Sequence, residues 1–211
     1  MRITEMRPSP THRLVELCEI ASGPSGLQLG ALSASLEGVP VISPPDLTTD
    51  HRVDTRSIKR VSADTAAGLA RFRLRAGDLV YVRQGTLGRR AVVGPAEATW
   101  FFGPACLRIR PKSEAILSDY LLHYLGHPLV HDAIVSYANP SKAVETLPSQ
   151  ALAATLVQLP SLEQQRTVAG AMNEIVTQIE ANKLLVDKQE RFRLGLLTDL
   201  LGSTVSEPGT P

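Results

Sequence analysis

Cysteine is nearly absent from this 211-residue chain, which has only Cys18 and Cys106. Two thiols can build neither a multi-disulfide framework nor a four-ligand zinc site. Both stand in apolar runs, as expected of reduced thiols in the cytosol. Long hydrophobic runs are missing as well. No stretch approaches the roughly 18 apolar residues of a membrane span, and the start MRITEMRPSPTHR has no apolar core of signal-peptide length. These absences lead to the expectation of a soluble, cytoplasmic protein with no membrane partner. Net charge is slight, +1 from 22 Lys and Arg against 21 Asp and Glu. With 43% hydrophobic and 20% charged residues, the composition is that of an ordinary globular chain. Its length allows one real core with a smaller element beside it.

Catalytic signatures are scarce too. Gly85-Thr86-Leu87-Gly88-Arg89 lacks the GxxxxGK[ST] frame of a phosphate-binding loop, and no helical pattern follows it. Asn139-Pro140-Ser141-Lys142 begins like an amino-methyltransferase motif but lacks its second proline and its aromatic. With no glycine-rich cofactor strand upstream, it reads as a loop. His123, His127 and His131 recur every four residues, a spacing that one unbroken helix would turn into a ligand face. Gly126 and Pro128 break that helix, and no carboxylate stands at HExxH spacing. No Ser-His-Asp order stands out, and neither cysteine has the basic neighbours that activate a thiolate. The expectation is a chain that is not an enzyme and holds no metal.

What the sequence does contain is charge sorted along its length. Residues 51–112 carry thirteen Arg and Lys against Asp54, Asp64, Asp78 and Glu97, a net of +9 that leaves −8 on the remainder. A near-neutral protein with so basic a middle suggests a polyanion-binding face, the plain alternative being a solvated charged surface. At the centre of the block stands GDLVYVRQGTLGRRAVVG (77–94), two apolar runs around a polar insert with glycines at 85 and 88. It predicts a hairpin with a flexible tip. Arginine can fork onto guanine, glutamine onto adenine, and threonine can reach a base edge or a phosphate. Arg83, Gln84, Thr86, Arg89 and Arg90 are therefore the candidates for base and phosphate contacts. Arg52, Arg56, Lys59 and Arg60 could follow a phosphate backbone nearby, and Ser141 and Lys142 are weaker phosphate candidates.

Short β-prone runs at 39–42, 58–61, 79–83, 91–93, 106–110 and 155–160 are separated by Gly and Pro. Helical spacing begins at Ser118 with Tyr120, Leu121, Tyr124 and Leu125, and a second helix is expected from Pro128 to about Tyr137. SLEQQRTVAGAMNEIVTQIEANKLLVDKQERFRLGLLTDLL (161–201) has no proline, and as one helix it would run about 60 Å. Val168, Met172, Ile175, Ile179, Val186, Leu197 and Leu200 fall close to one stripe, with Asn182 and Gln189 on it. So long a striped helix asks for a partner helix, and these residues are the expected dimer interface.

The order of these pieces resembles the target recognition domain of type I restriction-modification specificity subunits. The matching segments are GVPVISPPDL (38–47), LRAGDLVYVRQGTLGRRAVV (74–93), CLRIRP (106–111), SDYLLHYLGHPLV (118–130) and LVQLPSLEQQRTVAGAMNEIVTQIE (156–180). In that family a GD-strand followed by R-x-G-x-x-G-R precedes a helix, and an lPxxxEQ junction opens a long conserved helix. Here Leu159-Pro160, Glu163-Gln164 and the helix stand in that order. The resemblance implies a non-catalytic subunit that reads double-stranded DNA and seats a methyltransferase subunit, often beside a restriction and translocase subunit. S-adenosylmethionine would belong to the methyltransferase partner, with no cofactor bound by this chain. A full specificity subunit has two recognition domains and two long helices. This chain has one of each, like a half-subunit that pairs with itself or with a second half.

The sequence thus leads to an α+β fold, with a mixed-sheet recognition domain over 1–160. One long coiled-coil-type helix follows over 161–201, then a disordered tail over 202–211. Two other readings stay open from the residues alone. One is a non-catalytic coiled-coil adaptor whose basic face serves an acidic protein; the other is an unrecognised hydrolase, which the lack of clustered carboxylates with a lysine disfavours.

Overall fold

The computed structural model describes residues 9–30, 32–34, 37–138 and 145–202, with the backbone alone at 199, 200 and 202. The chain divides into two units, Met1–Ala169 and Gly170–Pro211.

In the first unit the elements are β1 (Thr11–Arg13), α1 (Leu14–Leu17), β2 (Cys18–Ser22), α2 (Gly26–Leu29), β3 (Val39–Ile42), β4 (Lys59–Val61) and α3 (Ala63–Gly68). They continue as β5 (Leu79–Val82), β6 (Arg90–Val92), β7 (Phe101–Phe102), β8 (Cys106–Pro111), α4 (Ser118–Tyr124), α5 (Pro128–Val135), α6 (Ser149–Ala154) and β9 (Leu156–Gln158). Helix α7 (Leu162–Gly202) begins in this unit and makes up the described part of the second. The expected α+β class with mixed sheets and a long C-terminal helix is what the chain adopts. One sheet is antiparallel in the order β2-β8-β5-β6, a second runs β4-β3-β7 with β3 and β7 parallel, and β1 pairs with β9.

Strand β5 explains how these layers meet. Its sequence Leu-Val-Tyr-Val is apolar throughout, and all four residues are buried. A strand turns alternate side chains to opposite faces, so an unbroken apolar run requires cover on both. Leu79 and Tyr81 join one core with Leu107, Ile109, Tyr120, Leu121, Leu125 and Leu152. Val80 and Val82 join the other with Val41, Ile42, Ala91, Phe101 and Phe102. Helices therefore cover one face of the four-stranded sheet, and the three-stranded sheet covers the other.

Local signals set the boundaries. Ser25 and Ser62 accept hydrogen bonds from Gln28 and Thr65 at the starts of α2 and α3. Ser161 and Gln164 cap each other at the start of α7: the Gln164 N–H donates to Ser161 Oγ (3.3 Å), and the Ser161 N–H to Gln164 Oε1 (3.1 Å). Residues 14–22 form one turn of helix and then strand β2. Strands β1, β2 and β7 and helices α1, α2 and α6 went unpredicted: each is six residues or shorter and has little periodicity to show.

The boundary between the units is also displaced from the expected 160/161. Gln165 (0% exposed) and Ala169 (4%) are buried in the first unit, so the opening turns of α7 belong to it. The helix extends through Gly202, inside the segment expected to be a disordered tail; the rest of that segment, 203–211, lies outside the described residues.

Candidate nucleic-acid interface

Strands β5 and β6 are joined by a seven-residue turn, 83–89. Gly85 (φ +88°) and Gly88 (φ +81°) both occupy the left-handed region that side chains disfavour. Arg83 continues the strand: its N–H donates to Ala105 O (2.9 Å) and its carbonyl accepts from the Leu147 N–H (2.7 Å). Its Nη1 donates to Ser22 Oγ (3.1 Å). Gln84, Gly85 and Thr86 are exposed, while Leu87 packs against the helical core. Arg89 is half-buried and its Nη1 donates to Leu47 O (3.4 Å).

Arg90 is not at the tip. It is 9% exposed, its Nε donates to Leu122 O and its Nη1 to Gly88 O (2.8 Å). Expected among the base and phosphate contacts, it is instead an interior residue. It stands across the ladder from Tyr81, whose ring fills the core against α4, and cross-strand partners share a face.

Several loops gather at the same end of the first unit as this turn. Strand β2 ends there at Ser22, and Gly23 lies so close to Gly103 that a methyl group on it would fall 2.1 Å from the Gly103 carbonyl oxygen. Strand β3 ends there too, the Gly103 N–H donating to Ile42 O (2.8 Å). Strand β4 begins there, with Lys59 opposite Val41. The loop from Ser43 to Ile58 thus leaves from this end and returns to it, carrying Arg52 and Arg56. The short helix α2 also follows from this end, with Leu27 98% exposed. Ser22 and Leu27 were not singled out in the sequence, where nothing marks them until the strands are paired.

Pairing within the protein reduces the free cationic charge of the 51–112 block. Arg52 meets Asp50 (3.3 Å) and Arg56 forks onto Asp54 (2.6 Å), both at the surface. Arg56 holds the Asp54 carboxyl down at about 2. Arg60 donates to Gly38 O (3.1 Å). Arg108 pairs with Glu19, and Arg110 pairs with the buried Asp78 (2.6 Å). Glu19 and Asp50 lie outside the block, so its sequence charge overstates what the surface offers. Lys59 remains exposed. Ser141 and Lys142 lie outside the described residues.

Beneath the turn lie His51 and His123, edge to face at 5.9 Å. Burial, with Arg90 and His123 beside it, lowers the His51 pKa to about 4, so this ring is neutral near pH 7. Burial raises Cys18 and Cys106 to about 12, which makes them inert thiols. Among the described residues no group of His, Cys, Asp and Glu could hold a metal ion, and no helix is long and apolar enough to cross a membrane.

Along α7 the expected stripe is exposed at Val168 (41%), Met172 (39%), Ile175 (50%), Ile179 (46%), Val186 (55%) and Leu197 (52%). Asn182 and Gln189 are exposed with it, and the Leu200 side chain lies outside the described residues. Leu184, Leu185 and Phe192 are exposed as well, away from the stripe, and Leu196 is exposed one heptad beyond Gln189 on it.

No family model matches the chain. It is 22% identical over 171 residues to the EcoBI specificity subunit of a type I restriction enzyme from Escherichia coli, a match covering 81% of this chain and 35% of that protein. A solved chain of a type I R-M system superposes with a TM-score of 0.68 at 21% identity, over 95% of this chain and 46% of its own. The HsdS subunit from Thermoanaerobacter tengcongensis gives 0.60 at 15% identity, over 97% and 51%. The type I S subunit from M. genitalium gives 0.59 at 10% identity, over 97% and 49%. The chain therefore spans about a third of the curated relative and about half of the solved ones. The resemblance carried by the ordered motifs is borne out: this chain is similar in fold, and to one member in sequence, to the specificity subunits of type I restriction-modification systems.

Proposed function

We propose that the chain is the sequence-specific, double-stranded DNA recognition subunit of a type I-like restriction-modification or DNA adenine methyltransferase complex. The turn 83–89 carries this reading. It presents Gln84 and Thr86 at an exposed tip between half-buried Arg83 and Arg89, at the loop-bearing end of a fold shared with S subunits. Fork-shaped and amide donors on a narrow hairpin suit the major groove, whose edges distinguish all four base pairs. Arg52, Arg56 and Lys59 lie on or beside the neighbouring loop and serve the phosphates. The surface pairs of Arg52 and Arg56 can open toward a phosphate at little cost, because exposed ion pairs contribute only about 0–1 kcal/mol.

The chain acts as a non-catalytic half-subunit. Its partners are the modification methyltransferase, which holds S-adenosylmethionine, and a restriction and translocase subunit where one is present. A second copy pairs through the stripe of α7, or a separate second half takes its place. The setting is cytoplasmic, where such a complex meets DNA. The test is a salt titration of the purified chain on duplex DNA, with polyglutamate as the competing polyanion. Binding that falls steeply with salt, discriminates between sequences and ignores polyglutamate supports the reading. Equal affinity for both polyanions overturns it. Calorimetry with S-adenosylmethionine should show no stoichiometric site on the isolated chain.

A further inference from the structure

Arg90 is a buried guanidinium with no carboxylate bonded to it among the described residues; its hydrogen bonds there go to backbone carbonyls. A charge with only carbonyl dipoles for company is costly to bury, and burial lowers the Arg90 pKa accordingly. Neutral apolar residues would fill a core position at lower cost. The two acceptors show what the guanidinium does there. Gly88 O belongs to the reading turn and Leu122 O to α4, so one planar group ties the turn to a helix 32 residues away in sequence.

The surroundings are shaped around this tie. A methyl group on Gly126 would fall 1.4 Å from Arg90 Nη2, so the corner between α4 and α5 is open only because glycine is there. Gly88 faces His131 of α5, whose Cε1 would lie 2.4 Å from a methyl group added to it. Tyr81 Oη, fully buried and without a hydrogen-bond partner among the described residues, lies 3.5 Å from the same position. Gly88 is thus held from α4 and α5 at once, and it closes the turn that carries Gln84 and Thr86.

We infer that Arg90 is a positioning residue for DNA reading: clasping Gly88 to Leu122, it fixes the direction in which Gln84 and Thr86 leave the domain. Backbone hydrogen bonds close the base of the turn, the Gly88 N–H donating to Val82 O (3.2 Å) and Arg89 O accepting from the Val82 N–H (2.8 Å); the clasp adds the tie to α4, and base readout needs a fixed orientation. The clasp touches no DNA. Its loss should therefore reduce discrimination between sequences and leave the electrostatic, sequence-independent attraction intact. The inference rests on the DNA-recognition reading above.

The test uses a duplex selected from a randomised pool by the wild-type protein, together with a scrambled duplex. Arg90→Gln should lower the preference for the selected duplex at least about tenfold. Binding of the scrambled duplex should stay within about twofold, and hydrogen exchange at residues 84–89 should quicken. Arg90→Lys, which restores one donor, should recover part of the preference. Should Arg90→Gln fail to fold, His131→Ala loosens the other side of Gly88 from a partly exposed position and should lower the preference in the same way. An unchanged preference in the folded variants overturns the clasp. So does a parallel loss on both duplexes, which would make Arg90 a phosphate contact. A wild-type protein that enriches no sequence from the pool instead overturns the function, so the two failures are told apart.

Discussion

Arg83 and Arg89 flank the exposed tip and are held differently, which separates their expected roles. Arg83 is fixed through its backbone on both sides and through Ser22, leaving the rest of a planar fork for a base edge. Arg83→Ala should cost about 1–3 kcal/mol on the selected duplex and relax preference at one base pair. Arg89→Ala should weaken all duplexes alike and reduce the salt slope by roughly 0.9. Titrations on single-base-substituted duplexes at several salt concentrations check both, and curves unchanged by either variant would remove the turn from the interface. His51 gives a prediction about pH. Its folded pKa, about 4, lies below the ordinary histidine value of 6.5. The unfolded chain therefore binds the extra proton first, and stability should be full above about 6.5 and fall as pH drops toward 4. His51→Asn suits the positive φ (65°) there and should flatten that part of the profile in denaturant melts. At this scale the sequence displayed residue types but not their burial. Adjacent arginines at 89 and 90 look alike until the ladder opposes Arg90 to Tyr81. The glycine that admits the Arg90 guanidinium stands 36 residues away, at 126.

Among the elements, β5 and α7 were the most legible and for opposite reasons. Four apolar, mostly β-prone residues flanked by Gly77 and Gly85 read as a short strand covered on both faces, whereas a proline-free run of some forty residues with a recurring stripe reads as a long helix. What the pattern could not show is how α7 is anchored. Gln165 is fully buried: its Nε2 donates to Ala115 O and Pro160 O (both 2.9 Å), and its Oε1 accepts from the Leu117 N–H (2.9 Å). One side chain therefore satisfies three backbone groups around the start of the helix. The motif Glu163-Gln164 pointed to this junction, yet Gln164 caps and Gln165 anchors, a division that only depth in the core decides. Gln165→Ala should lower the unfolding free energy by about 1–3 kcal/mol, because those groups lose their partner away from water. Glu163→Ala, on the exposed first turn, should change it by less than about 0.5 kcal/mol. Urea melts of both variants distinguish a buried anchor from a general effect of altering the junction.

On the proposed reading, the governing quantity at the scale of the whole molecule is the number of base pairs read. One recognition domain contacts only a few, and at about 1–3 kcal/mol per position that is weak discrimination against a genome of competing sites. Two domains double the contacts, and the exposed stripe of α7 supplies a means of joining them. An antiparallel two-fold pair of these helices would set position 168 of one copy near position 200 of the other. Asn182 and Gln189 then fix the register at some cost in stability. Because a two-fold pair presents the same turn twice, its target should be two inverted half-sites around an unread spacer of fixed length. Ile175 and Ile179 are 50% and 46% exposed in the single chain and would be buried by the pairing. Replacing both with Asp should give a monomer by light scattering whose thermal midpoint is nearly unchanged, but which loses most of its specific binding. The wild-type chain should be a dimer at high micromolar concentration and should select a palindrome from a randomised pool. A chain that remains monomeric there, or that selects an asymmetric site, would assign the stripe to a different half-subunit and exclude the homodimer.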